Sequence, residues 1–528
     1  MGIATNSSFT PLCIVRLYAI IYLYNQRRQM AVPEDIRKVE RPKNTVVMAY
    51  GKNKNLYAVK QRTGCRYVKG RRLPVTGPTI GHIVDMKYVP ISTSPASCGA
   101  TSDIELKEWG GVSLCNALAS DLLSDLRGVY SPDDALKLYC IALLRVCHPG
   151  AKDCELKELY DDSFLSELHP DVALSKNTVS KFLKDVGKKC TRIAQFMRKR
   201  AETVGIDAHL LVDGTLKSND SRVNTLSDFS RKAPAKGRRD ISVIYAFDLE
   251  RNEPVCSKCF PGNMLDLTAY EEFVSDCGVT HGLIVADKGF PSDAASGHFE
   301  RNPDLHYLNP VKRNSRFIET HDLLSFSGIL EGFDGVTYKK AKCNGANKWL
   351  YSFRNAASAA KEELDWLSRA GKERNFKGEK FKKRQKTFGT VVLECDKDLP
   401  PETVYKAYSR RWEIEIVMKY YKSACEFDET RVHNDYSVIA SEFCDFLATV
   451  MTYRLINKFT ETKLLEKKNY GKIMSILRRA KKVKSDDGGW RLIKMNPSQV
   501  KILESLKLLE AIEEPVHRPV GRPPKPQV

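Results

Sequence analysis

The stretch His209-Leu-Leu-Val-Asp-Gly-Thr215 decides the fold. An unbroken apolar run that ends on an acid reads as a strand buried on both faces, and Gly214 lets another backbone approach closely. Working outward, residues 240–247 and 253–260 read as the next two strands, Pro261-Gly-Asn263 as a turn and 268–277 as a helix. Gly282-Leu-Ile-Val-Ala-Asp287 repeats the first pattern, followed by Lys288-Gly-Phe290, a helix from about Ser292 and a strand over 306–311. Strands alternating with helices make this region α/β. A lone acid at a strand end is usually a cap or turn residue. Two of them on one rim, Asp213 and Asp287, face the cleft where open α/β sheets take their ligands.

A third carboxylate stands downstream. Tyr408-Ser-Arg-Arg-Trp-Glu-Ile-Glu-Ile-Val-Met-Lys-Tyr-Tyr-Lys422 contains no Pro or Gly and reads as a helix, entered through Pro400 and Pro401. At about 100° per residue, Tyr408, Arg411, Glu415 and Lys422 fall within about 60° of one another, on a stripe about 20 Å long. Ile414, Val417, Met418, Tyr421 and Cys425 form the adjoining apolar arc, and Glu413 projects away from the stripe. Helical ion pairs are the ordinary explanation of such charges, but Glu415 and Lys422 are too far apart for one. Three carboxylates converging on one point repel unless cations neutralise them, which implies a divalent metal. A line of cations and a phenol suits a phosphate backbone.

Upstream, residues 30–91 show short apolar runs (45–50, 56–59, 78–84) between turn residues. Lys60, Arg62, Arg66, Lys69, Arg71 and Arg72 interleave there with Tyr57 and Tyr67, as in a small β-rich module that touches phosphates; a solvated surface explains the same charges. Residues 92–102 read as a linker. Residues 103–205 are helical, with segments over 114–126, 132–146 and 154–160. Within them 174–187 has the form of a recognition helix. Ser175 caps it, Val179, Leu183 and Val186 pack inward, and Lys176, Asn177, Ser180 and Lys181 face DNA. An ordinary bundle helix has the same pattern.

Asp287 and Glu415 are 415 − 287 = 128 residues apart, longer than a strand connection needs. Strands over 328–338 and 348–353, a helix over 356–369 and a basic run over 372–386 fill that gap. Trp349 is a candidate for stacking on an extruded base, though most tryptophans in such positions are core residues. Beyond 436, helices over 437–459, 470–482 and 497–512 suggest a dimerisation or end-binding region. The tail Val520-Gly-Arg-Pro-Pro-Lys525 is similar to the core of minor-groove AT-hook peptides, but the match is short and has Val520 in place of an arginine, which favours a plain disordered tail.

A net charge of +20 and a pI near 9.2 point to a polyanionic partner, nucleic acid ahead of an anionic membrane surface. The fifteen cysteines form no framework of spacings and read as reduced thiols in a cytosolic protein. Cys256 and Cys259, with Cys277 and His281, could be grouped as a zinc site, but two ordinary strand thiols explain the pair. No segment is long and apolar enough to span a membrane. Residues 1–29 read as an upstream extension of the frame that opens at Met30, or as a short arm.

The spacing Tyr408-x2-Arg411-x3-Glu415-x6-Lys422 resembles the signature of the Tyr-Arg-Glu-Lys branch of DDE-type insertion-sequence transposases, an IS4-like superfamily. Leu-Val-Asp213-Gly-Thr, Phe260-Pro-Gly-Asn-Met-Leu-Asp266 and Ala-Asp287-Lys-Gly-Phe resemble its other blocks, in the same order, across roughly 206–436. The resemblance implies Asp213, Asp287 and Glu415 as catalytic residues binding two Mg²⁺ ions, which Mn²⁺ can replace. It implies Tyr408, Arg411, Lys422 and Lys288 as DNA contacts. The expected fold is multidomain α/β. Its RNase H-like mixed-sheet catalytic core (206–311 plus 388–436) is interrupted by a β-rich insertion (312–387). The expected flanks are a β-rich module with linker (30–102), a helical DNA-binding domain (103–205), a helical C-terminal region (437–514) and a disordered basic tail (515–528). The expected activity is cleavage and transfer of DNA at terminal inverted repeats by a cytoplasmic, nucleoid-associated prokaryotic homodimer. The alternatives are a DNA-binding protein without catalysis and a nuclease that never joins strands.

Overall fold

The computed structural model describes residues 32–49, 57–68, 71–90, 104–230, 237–264, 266–286, 296–343, 347–372, 376–411 and 429–509. The chain divides into two compact units at Ile104/Glu105. In the first, strands β1 (Thr45–Ala49), β2 (Tyr57–Val68), β3 (Arg71–Val84) and β4 (Lys87–Pro90) form an antiparallel sheet in chain order. The β3–β4 turn has positive φ at Asp85 (48°) and Met86 (61°), the two left-handed residues of a tight hairpin. Its buried apolar residues, Ala58, Val59 and Ile83, make a small core. β2 and β3 run well beyond the apolar stretches that suggested them, because their outer halves are basic and carry Gly and Pro.

The second unit begins with β5 (Leu106–Glu108) and a helical stretch. It includes α1 (Gly110–Leu118), α2 (Ser120–Arg127), α3 (Pro132–Cys147), α4 (Lys176–Lys188) and α5 (Cys190–Ala201). Ser131 caps α3 ahead of Pro132, and Ser175 caps α4 by accepting from the Thr178 amide. A nine-stranded sheet follows. Its strands are β6 (His209–Ser218), β7 (Asp240–Asp248), β8 (Glu253–Pro261), β9 (Gly282–Ala286), β10 (Leu305–Pro310), β11 (Gly328–Ile329), β12 (Val336–Lys342), β13 (Trp349–Asn355) and β14 (Thr390–Cys395).

The sheet order is β11-β12-β13-β14-β10-β9-β6-β7-β8. β6, β7 and β8 form an antiparallel meander. The chain then crosses over through α6 (Asp266–Cys277) so that β9 lies parallel to β6, and β10 parallel to β9. β9 is buried at every residue, as expected of a parallel strand at the centre of a sheet. The strands between the second and third expected carboxylates continue this sheet, through the antiparallel pairing of β14 with both β10 and β13. The basic run is helical where described: α7 (Ala356–Lys372) is followed by α8 (Gly378–Gln385), with Trp366, Phe376 and Phe381 clustered between them.

Helix α9 (Asp435–Glu461) is a core element, with apolar residues on every side. A helix without a polar face belongs in an interior. It packs against α3, α4 and β8, so the helical stretch and the sheet share one hydrophobic core. A Cβ on Gly187 of α4 would stand 1.8 Å from the Tyr436 carbonyl oxygen, so only glycine allows this approach. After α10 (Tyr470–Arg479), the chain makes β15 (Lys481–Lys484) and β16 (Trp490–Leu492), and β15 pairs with β5. Short basic strands, paired across the whole unit, leave no local pattern that separates them from a helix end. Among the described residues no helix is long and apolar enough to cross a membrane.

Candidate active site

β6 and β9 lie side by side in parallel register, with Val212 opposite Ala286. Asp213 is the next residue of β6. It is half-buried, lies across from Tyr245 of β7, and its Oδ1 accepts the Gly214 amide at 2.9 Å. Asp287 and Lys288 follow Ala286 in sequence and lie outside the described residues, as do Glu415 and Lys422. Since side chains alternate along a strand, Thr215 and Lys217 share a face with Asp213.

Lys217 anchors that face. It is buried, and its Nζ lies 2.7 Å from Glu442 Oε2 and 2.7 Å from Asp445 Oδ2, both on α9. Arg145 of α3 reaches the other oxygen of Asp445 at 2.8 Å and Asp153 at 3.0 Å. Thr430 donates to Glu442. Burial pushes the Lys217 ammonium down, but the two carboxylates overcome this and hold it well above its ordinary range. Burial raises both acids. For Asp445 the two cations reverse the shift and its carboxyl sits low, whereas Glu442 stays raised. The sequence reading missed this brace. Its one local signal is a lysine inside an apolar strand, four residues beyond Asp213.

Residues 401–411 are helical, with Pro401 in the first turn and Val404 and Ala407 buried. Tyr408 and Arg411 are buried as well, 7% and 6% exposed, and the Arg411 guanidinium lies 5.0 Å from the Tyr408 ring centroid. The structure thus brings these two together, one helical turn apart, on a covered face. Next to them Arg410 donates to the Leu249 carbonyl at 3.3 Å and lies 3.6 Å from Glu250. Glu250 in turn holds the His209 ring at 2.8 Å and its amide at 2.9 Å. Burial raises the Glu250 carboxyl, but its bonds to His209 bring it below the ordinary range. The helix that carries Tyr408 and Arg411 is therefore tied to the first residue of β6.

Trp349 is half-buried at the start of β13, with Lys340 Nζ 4.8 Å and Lys342 Nζ 5.4 Å from its ring centroid. On α4, Val179, Leu183 and Val186 are buried while Lys176, Asn177 and Lys181 are exposed. Cys256 and Cys259 lie in β8, and His281 Nε2 is 2.6 Å from the Val204 carbonyl oxygen. Among the described residues no three His, Cys, Asp or Glu side chains are grouped to hold a metal. Asp213 contributes a hard oxygen donor on a half-buried strand, which is the donor chemistry a Mg²⁺-type cation takes.

The fold is an α/β domain in which β6, the strand that carries Asp213, lies parallel to β9, the strand that immediately precedes Asp287 in sequence. Residues 206–438 match the family described as Transposase DDE domain. No curated protein matches the chain. Among solved structures it is similar to a chain of the piggyBac transposase synaptic complex with hairpin DNA, determined by cryo-EM. The two are 13% identical with a TM-score of 0.38, over 70% of this chain and 80% of that one.

Proposed function

We propose that this protein is a DNA transposase that cuts and joins strands at the ends of its own element, with Asp213, Asp287 and Glu415 as the catalytic carboxylates. The observation that carries the reading is the register of β6 on β9 within the matched domain. It sets Val212 against Ala286, the residues immediately before the two aspartates. The order β8-β7-β6-β9-β10, a meander followed by two parallel strands, supports an RNase H-like core.

In this reading water attacks the phosphorus at the element's end, the P–O3′ bond breaks, and a 3′-hydroxyl is released. That hydroxyl then attacks a target phosphodiester, so one bond forms for each one broken. Divalent cations, when bound, supply charge neutralisation at the phosphate and a lowered pKa for the attacking oxygen. Asp213, Asp287 and Glu415 would hold them. Lys217 and the α9 carboxylates keep β6 fixed against the core, so that Asp213 keeps one position through both steps. Tyr408, Arg411 and Lys422 are assigned to the phosphate backbone, with Trp349 on an unpaired base and Lys176, Asn177 and Lys181 on the terminal repeat. A dimer that pairs two element ends is part of the same proposal.

The test is the Asp213→Ala chain with duplex DNA from the ends of its own element. It should bind that DNA in a gel shift yet release no 3′-hydroxyl end in Mg²⁺ or Mn²⁺. Undiminished cutting by this variant would remove Asp213 from the site.

A further inference from the structure

The first unit is unevenly built. β1 pairs only with Tyr57–Gln61 of β2, and β4 only with Gly81–Val84 of β3. Arg62 still bonds to Asn44 beside β1, its amide donating to the Asn44 carbonyl at 2.9 Å; beyond it, among the described residues, β2 and β3 pair with each other, from Gly64 opposite Val75 out to Val68 opposite Arg71. Among the described residues the buried apolar ones of the unit, Ala58, Val59 and Ile83, belong to the inner half. Among the described residues the outer half is thus a two-stranded ribbon with no third strand paired to it. Such a ribbon is marginal in water by itself, and it leaves Leu73 and Val75 exposed at 42% and 40%.

Its charge says what could cover it. Between Gln61 and Ile80 the sequence has five Lys and Arg and no acid, and between Pro42 and Pro90 it has ten against the single acid Asp85. A protein strand adding to the ribbon would meet Pro74 and Pro78, which lack an N–H, and a row of cations, both of which discourage edge pairing. A DNA major groove, about 12 Å wide, admits a two-stranded ribbon and surrounds it with phosphates. Register shifts between Val59 and Gly64 mark bulges, which sharpen the right-handed twist of a ribbon.

We propose that the outer β2–β3 ribbon is a DNA-binding element in its own right, lying in a groove of duplex DNA to which the cationic, acid-free sequence of the ribbon is complementary. This rests on the DNA-binding reading above and not on the carboxylate site.

The experiment measures duplex DNA affinity of the full chain by fluorescence anisotropy across a salt series, without divalent metal. Compared are the unmodified chain, R62A/R66A/R71A/R72A and R62K/R66K/R71K/R72K. The alanine variant should bind at least about tenfold more weakly, with a log–log salt slope shallower by about 3 to 4, close to 0.9 per phosphate contact. The lysine variant should retain most of the affinity. Unchanged affinity and slope in the alanine variant would overturn the proposal, whether or not the unmodified chain cuts DNA. Equal loss in the lysine variant would also overturn it, by showing a structural effect. A ribbon-dependent preference for single-stranded RNA would overturn the assignment to DNA.

Discussion

Lys217 and Asp445 stand 228 residues apart in sequence and meet as a buried ammonium–carboxylate pair at 2.7 Å. The pair ties β6, the strand that presents Asp213, to the central helix α9, and Arg145 extends the tie to α3. Removing one partner from a buried ionic cluster leaves the others uncompensated, which costs about 3–5 kcal/mol. Lys217→Met should therefore lower the unfolding free energy by that amount in urea denaturation. A loss below about 1 kcal/mol would mean that water screens the cluster.

The two acids of this cluster should respond in opposite ways to loss of charge. Asp445 has a lowered folded pKa, so its contribution is present above the ordinary carboxylate range and is lost as pH falls through the lowered value. Glu442 has a raised folded pKa, so its contribution is present below the ordinary range and is lost as pH rises through the raised value. Glu442→Gln should thus cost less than Asp445→Asn, which should cost about 3–5 kcal/mol by leaving Lys217 and Arg145 short of a counter-charge. Thermal melts from about pH 2 to about pH 8 check both, and the acid limb should flatten only in Asp445→Asn.

Gly187 offers a purely steric test. Its missing Cβ is what lets α4 approach the Tyr436 carbonyl, and backbone cannot yield as a flexible side chain does. Gly187→Ala should destabilise by about 3 kcal/mol, the upper end of the overpacking range, despite alanine's better helix propensity. Urea denaturation decides this, since propensity alone would make the variant more stable.

These effects also show where the sequence was informative. The buried strand before Asp287, the Ser175 cap and the inward face of α4 were legible because each is a local pattern, whereas the strand expected to end at Asp213 runs on to Ser218 because Gly214–Ser218 pair with β7. The Lys217 brace and the pairing of β5 with β15 were not legible, because their partners are hundreds of residues away. The outer halves of β2 and β3 lacked an apolar alternation, being basic and carrying Gly and Pro. Helix α9 could have been placed in the core by its lack of a polar face. Glu415 and Lys422 were readable only as members of a helical stripe, and Tyr408 and Arg411 of that stripe are stacked and buried.

The exposed face of α4 separates affinity from sequence preference. Lys176, Asn177 and Lys181 are exposed, while Val179, Leu183 and Val186 hold the helix in the core, so substitutions on the outer face should leave the fold intact. If α4 lies in a groove of the terminal repeat, K176A/K181A removes two phosphate contacts. Binding should weaken to a similar extent on repeat and unrelated DNA, with a salt slope shallower by about 2. Asn177→Ala should instead act on the repeat alone, because asparagine reads an adenine edge, and the difference between repeat and unrelated DNA should shrink by about 1–3 kcal/mol. Anisotropy titrations of both duplexes with both variants check this. Equal effects of Asn177→Ala on the two duplexes would make α4 a backbone contact, and no effect from either variant would make it an ordinary bundle helix.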